Sequence, residues 1–152
     1  MIQIRLVCVG NLKEKFWKEG VDEYSKRLSK FCKLNIIELA EQNKYQDIEK
    51  IKEEEGKEIL KNLTGKCFLL DLKGNILSSE EFSKEIEKSS QTSSCLTFVI
   101  GGSYGVSDGV KAQIKEKISF GKMTFPHNLA RLMLVEQIYR AFMISSGSTY
   151  HK

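Results

Sequence analysis

The chain has one proline, one tryptophan and two histidines among its 152 residues. A single proline leaves no proline-rich linker or polyproline tract, and there is no repeat or low-complexity segment, so residues 1–152 are expected to form one domain. The four cysteines (Cys8, Cys32, Cys67, Cys95) form no CxxC pair. With so few histidines, a metal is not expected. The cysteines read as reduced, buried thiols, with zinc or disulfide chemistry as the alternative. No apolar run reaches the roughly 18 residues that a membrane-spanning helix requires. The opening MIQIRLVCVG lacks the basic and long apolar regions of a secretory signal, so a cytoplasmic protein is expected. Also missing are the G-x-G-x-x-G fingerprint and a Walker lysine pattern. Their absence argues against a small nucleotide-binding hydrolase.

Charge is nearly balanced, at +4 overall. Residues 1–88 carry 17 basic and 17 acidic groups, whereas residues 89–152 carry 7 and 3. The excess therefore lies in the C-terminal part, where it permits a polyanionic partner without requiring one.

Strand-like and helical patterns alternate along the chain. IQIRLVCVG (2–10), LNIIEL (34–39), KCFLLDL (66–72), SCLTFVI (94–100) and ISFG (118–121) read as strands, the third closed by a turn at Lys73-Gly74-Asn75. Helical spacing is expected between Lys13 and Lys30, over 46–62 (weakened by Gly56), from Ser78 or Ser79 to about Lys88, over 108–117 and over 127–144. Continuous apolar strands separated by helices predict an α/β fold, with a mostly parallel sheet covered by helices on both faces.

Three candidate ligand loops fall at strand ends: LLDLKG (69–74), the glycine-rich turn in FVIGGSYG (98–105), and FGKMTF (120–125). Ligands of open α/β sheets bind outside the carboxyl ends of the strands, and each loop is otherwise an ordinary turn. Asp71 is either a ligand contact or a turn residue. The final helix is apolar on nearly every side, which predicts burial and, in a chain this short, a second subunit. On it, Glu136 and Arg140 are spaced for a plain i,i+4 ion pair. Arg131 and Arg140 could alternatively hold phosphate. His127, after Pro126, reads as a capping or packing residue. The tail Tyr150-His151-Lys152 is unusually rich in donors and aromatic surface for a chain end, so it either frays or is held in a cleft.

Taken together, FVIGGSYG, SFGKMTFPH, RLMLVEQIYRAFMI and the terminal YHK resemble the RlmH family of large-subunit ribosomal RNA methyltransferases, and the opening VGNLKEKFWKEGVDEYSKRL fits as well. The family lies in the SPOUT superfamily. The resemblance implies a C-terminal trefoil knot, a homodimer and S-adenosyl-L-methionine as cofactor. The implied substrate is a pseudouridine of 23S rRNA, methylated at N3 in the assembled ribosome. Carried over, the implied cofactor positions are Leu70, Gly101, Phe120, Gly121, Lys122, Met123, Thr124 and Phe125. The terminal Tyr150, His151 and Lys152 are implied in RNA binding or catalysis. Tyr150, His151 and Arg140 are expected to be catalytic, with His151 the candidate proton acceptor and Tyr150 a stacking surface. Arg131 and Lys152 are expected on RNA. A non-catalytic ribosome- or RNA-binding module with a vestigial cofactor pocket is the competing expectation.

Overall fold

In the computed structural model, which describes residues 1–152, the chain folds as five parallel strands with five helices between and after them. The strands are β1 (Gln3–Val9), β2 (Lys33–Leu39), β3 (Lys66–Ile76), β4 (Cys95–Ile100) and β5 (Glu116–Ser119), in the sheet order β2-β1-β4-β3-β5. The helices are α1 (Lys15–Leu28), α2 (Ile48–Lys61), α3 (Ser79–Thr92), α4 (Asp108–Gln113) and α5 (His127–Ser145).

Successive connections reverse direction along the sheet. Right-handed crossovers therefore place α1 and α3 on one face and α2 and α4 on the other. Side-chain alternation matches this arrangement. Ile4, Leu6, Leu96 and Phe98 enter the core under α1, α3 and α5, and Val7, Val9, Leu69 and Val99 enter the core under α2 and α4. Every residue of β4 is buried, which is why it reads as an unbroken apolar run. Phe98 anchors the larger core, stacked on Phe68 at 5.0 Å and edge-on to Phe82 at 5.9 Å.

Four boundaries differ from expectation. α3 runs to Thr92, secured at its start by a reciprocal capping box between Ser78 and Glu81. α4 stops at Gln113, because the chain turns at Ile114 into β5, which starts at Glu116 rather than at 118. Lys73-Gly74-Asn75 does not close β3. Leu70 and Asn75 both register with Ile118, so residues 71–74 leave the ladder and the strand then resumes to Ile76. This excursion opens the carboxyl edge of β3, where one candidate loop lies.

Gly56 has a packing reason in mid-helix. A methyl group there would stand 2.6 Å from Ser107 Oγ and 3.2 Å from Val110 Cγ2, so α2 and α4 cross at this point. Ser107 is the N-cap of α4, and its side chain accepts from Val110 N–H. Gly56→Ala is therefore expected to lower stability by about 1–3 kcal/mol despite alanine's better helix propensity, because overpacking and a disturbed cap outweigh it. Denaturant unfolding checks this; a stabilised variant would show that the crossing is loose.

Candidate active site

The three strand-end loops converge on one cleft of about 290 Å³. That is near the lower limit of roughly 300 Å³ for small-molecule sites. Leu70, Asp71 and Leu72 come from the β3 excursion. Gly101, Gly102, Tyr104 and Gly105 come from the turn after β4, and Phe120, Gly121, Met123, Thr124 and Phe125 from the segment after β5. Of the cofactor positions carried over from the family, Leu70, Gly101, Phe120, Gly121, Met123, Thr124 and Phe125 line the cleft. Lys122 is exposed and lies outside the lining.

The backbone of this cleft is built for close approach. Gly105 (φ +83°) and Gly121 (φ +122°) take conformations that side chains resist, and nothing lies within 4 Å of where a Cβ at either would project. The first turn is closed by Gly105 N–H donating to Gly102 O at 3.0 Å. Behind it, the carboxylate of buried Glu55 accepts from Gln42 N–H at 3.0 Å, and burial raises its pKa. Asp71 accepts from Lys73 N–H at 3.1 Å, so it shapes its own turn while lining the cleft.

Several lining residues gave no signal in the sequence. Lys52 reaches the cleft from α2 and Lys111 from α4, both from the opposite face of the sheet. His127, expected to cap or pack, also lines it, with Nε2 3.7 Å from Glu41 Oε1.

The tail does not fray. Tyr150 packs edge-on against Tyr139 at 5.0 Å and donates to Glu136 Oε2 at 3.2 Å. Burial, first, and then Tyr24 and Glu136 push its phenol up to about 12, so it stays a donor. Arg140 lies over the Tyr150 ring at 4.9 Å. It also forms the i,i+4 pair with Glu136, through Nε and Nη2, each at 3.0 Å. His151 sits between Arg140 Nη1 at 3.0 Å and Glu80 Oε1 at 2.5 Å, and Lys152 is exposed beside it. None of these tail residues lines the cleft.

Arg131 corrects an expectation. It is 2% exposed, ion-paired to Glu38 at 2.6 Å, and donates to Gly10 O at 3.0 Å. It ties α5 to the carboxyl ends of β1 and β2, and is not free to meet an RNA phosphate. The sequence could not show this, because its carboxylate partner lies 93 residues away.

A family model described as "Predicted SPOUT methyltransferase" matches residues 2–151. Curated relatives match from end to end. A protein of Clostridium botulinum (strain Kyoto / Type A2) named Ribosomal RNA large subunit methyltransferase H is 52% identical over 161 positions, covering 99% of this chain and all of the relative. Proteins with the same name from Clostridium acetobutylicum and Lactobacillus delbrueckii subsp. bulgaricus are 49% and 46% identical over 159 positions, again covering 99% of this chain and all of each relative. With the strand-end cleft and parallel sheet described above, these matches make the chain a member of the SPOUT methyltransferases, in the ribosomal RNA large subunit methyltransferase H family.

Proposed function

We propose that the protein methylates N3 of a pseudouridine in 23S rRNA on the assembled ribosome, using S-adenosyl-L-methionine, and that it does so as a cytoplasmic homodimer. The observation that carries this reading is the convergence of three strand-end loops, with seven of the family's eight cofactor positions, on one cleft. The cleft fits such a cofactor. It offers apolar walls from Leu70, Phe120, Met123 and Phe125, with bare backbone at Gly101, Gly105 and Gly121. The bound cofactor would supply a methyl group on a cationic sulfur. The protein's share of the acceleration is alignment, exclusion of water and removal of the N3 proton.

Dimerisation is supported by geometry as well as by family. Glu136 and Arg140, which hold the tail, lie nine and thirteen residues beyond the cleft residue His127 on α5. Along a helix that is about 14–20 Å. A tail from a second chain would bring Tyr150, His151 and Lys152 to the cleft, with Tyr150 stacking on the base and Arg140 and Lys152 on phosphates. Met133, Phe142, Met143 and Ile144 on α5 are only partly covered in the single chain, and Leu72, Tyr104 and Met123 stand exposed at the cleft mouth. The family's threaded trefoil goes with this reading. A methyl group at Gly74 would stand 2.7 Å from Lys117 C and Ile118 N, so the chain packs closely on β5 at that point.

Calorimetric titration with S-adenosyl-L-methionine tests the cofactor reading. The wild-type protein is expected to bind. Gly121→Val is expected to bind on the order of ten- to a hundredfold more weakly, from a strained φ and a side chain in the open space. No binding by the wild type would favour a non-catalytic module.

A further inference from the structure

His151 is held in one orientation by contacts to both ring nitrogens. Nε2 lies 2.5 Å from Glu80 Oε1 and Nδ1 lies 3.0 Å from Arg140 Nη1. A guanidinium has only donors. Nδ1 must therefore accept, and the ring proton must sit on Nε2, directed at Glu80. Arg140 is pinned independently through Nε and Nη2 to Glu136, so only Nη1 is spent on the histidine. Glu80 lies in the first turn of α3, where the helix end favours an anion. Its carboxyl is held below the ordinary range, chiefly by the hydrogen bond from His151.

We infer that Glu80 is a positioning residue for methyl transfer: it keeps the His151 proton on Nε2 and turns the Nδ1 lone pair toward the acceptor as the proton-accepting atom. This rests on the proposed function. The Arg140 N–H occupies the place that an incoming N–H would take. It is the only Arg140 contact that must yield, because the pair with Glu136 uses other nitrogens. In the step itself, the N3–H proton passes to Nδ1 and the N3 electron pair forms the new N–C bond. The methyl C–S bond breaks with its pair left on sulfur, which goes from sulfonium to neutral thioether. The imidazolium so formed keeps its Nε2–H on the Glu80 carboxylate, which offsets the charge, as the carboxylate of a catalytic triad does. Without Glu80 the ring is free to turn or to carry its proton on Nδ1, where it accepts nothing.

Nitrogen-15 NMR of histidine-labelled full-length protein, together with single-turnover transfer to ribosomes, tests this. The wild type is expected to show His151 as the Nε2–H tautomer. Glu80→Ala should give mixed tautomers and transfer slower by roughly tenfold or more, with cofactor affinity and thermal midpoint unchanged. In a His151→Ala background, Glu80→Ala should cost nothing further, because the two residues act as a unit. An Nδ1–H tautomer in the wild type, a Glu80→Ala variant at full rate, or an equal loss in both backgrounds overturns the inference alone. A wild type that transfers no methyl overturns the methyltransferase reading, and the base role with it.

Discussion

Truncating the chain after Thr149 is expected to slow methyl transfer by about a hundredfold or more while leaving cofactor affinity within a few-fold of wild type. The three residues removed carry the proposed stacking ring, the proposed base and a cation, yet none of them lines the strand-end cleft. General-base catalysis alone is worth roughly 10²–10⁴-fold, and loss of the Tyr150 surface adds a positioning cost. Stability should change little. Tyr150 and His151 sit at the surface of α5 and α3, and the buried core contains neither. Single-turnover transfer to ribosomes, with calorimetry on the same preparation, separates the effects. Equal loss of transfer and of cofactor binding would show that the tail is part of the cofactor site instead.

The second large effect falls on stability. Arg131→Ala is expected to destabilise the protein by about 3 kcal/mol, the combined cost of a cavity and an orphaned buried carbonyl. The change empties a site filled by one of the largest fully buried side chains and leaves Gly10 O without its donor. The Glu38 side chain is 42% exposed and can rehydrate, so most of the cost comes from the cavity and the orphaned carbonyl, not from the lost charge pair. For a chain of this length the midpoint of thermal unfolding should fall by roughly 6–12 °C. Arg131→Met, which fills the space, should lose less. An unchanged midpoint with weaker ribosome binding would instead restore Arg131 to the RNA surface. Cys8 packs beside the same guanidinium; burial pushes its thiol up to about 11, with Arg131 pulling it part of the way back. Cys8 is therefore expected to resist alkylation in the folded protein, and rapid labelling by a thiol reagent would contradict the packing described.

What could be read along the chain was whatever depends on neighbours a few residues away. β4 is an uninterrupted apolar run because both of its faces are covered, and α3 announces its start with Ser78 and Glu81. The Glu136–Arg140 pair follows from helical spacing. The cleft was legible because the loops sit at strand ends, where parallel sheets bind ligands. Features set by distant segments were not legible. The continuation of β3 depends on β5, about 43 residues further on, where Asn75 meets Ile118. Arg131 looks like any surface arginine until β2 delivers Glu38 to it. Glu80 looks like a helix-start acid, and its contact with His151 spans 71 residues. Lys52 and Lys111 reach the cleft from helices whose spacing says only that they are amphipathic.

The most direct test is transfer of a labelled methyl group from S-adenosyl-L-methionine to assembled ribosomes that lack the N3 modification, with free 23S rRNA in parallel. The expected result is one label per ribosome, mapped to a pseudouridine of 23S rRNA, with little on free RNA and slower labelling by Gly121→Val at the same cofactor concentration. A protein that binds the cofactor but leaves assembled ribosomes unlabelled would contradict the proposed reaction.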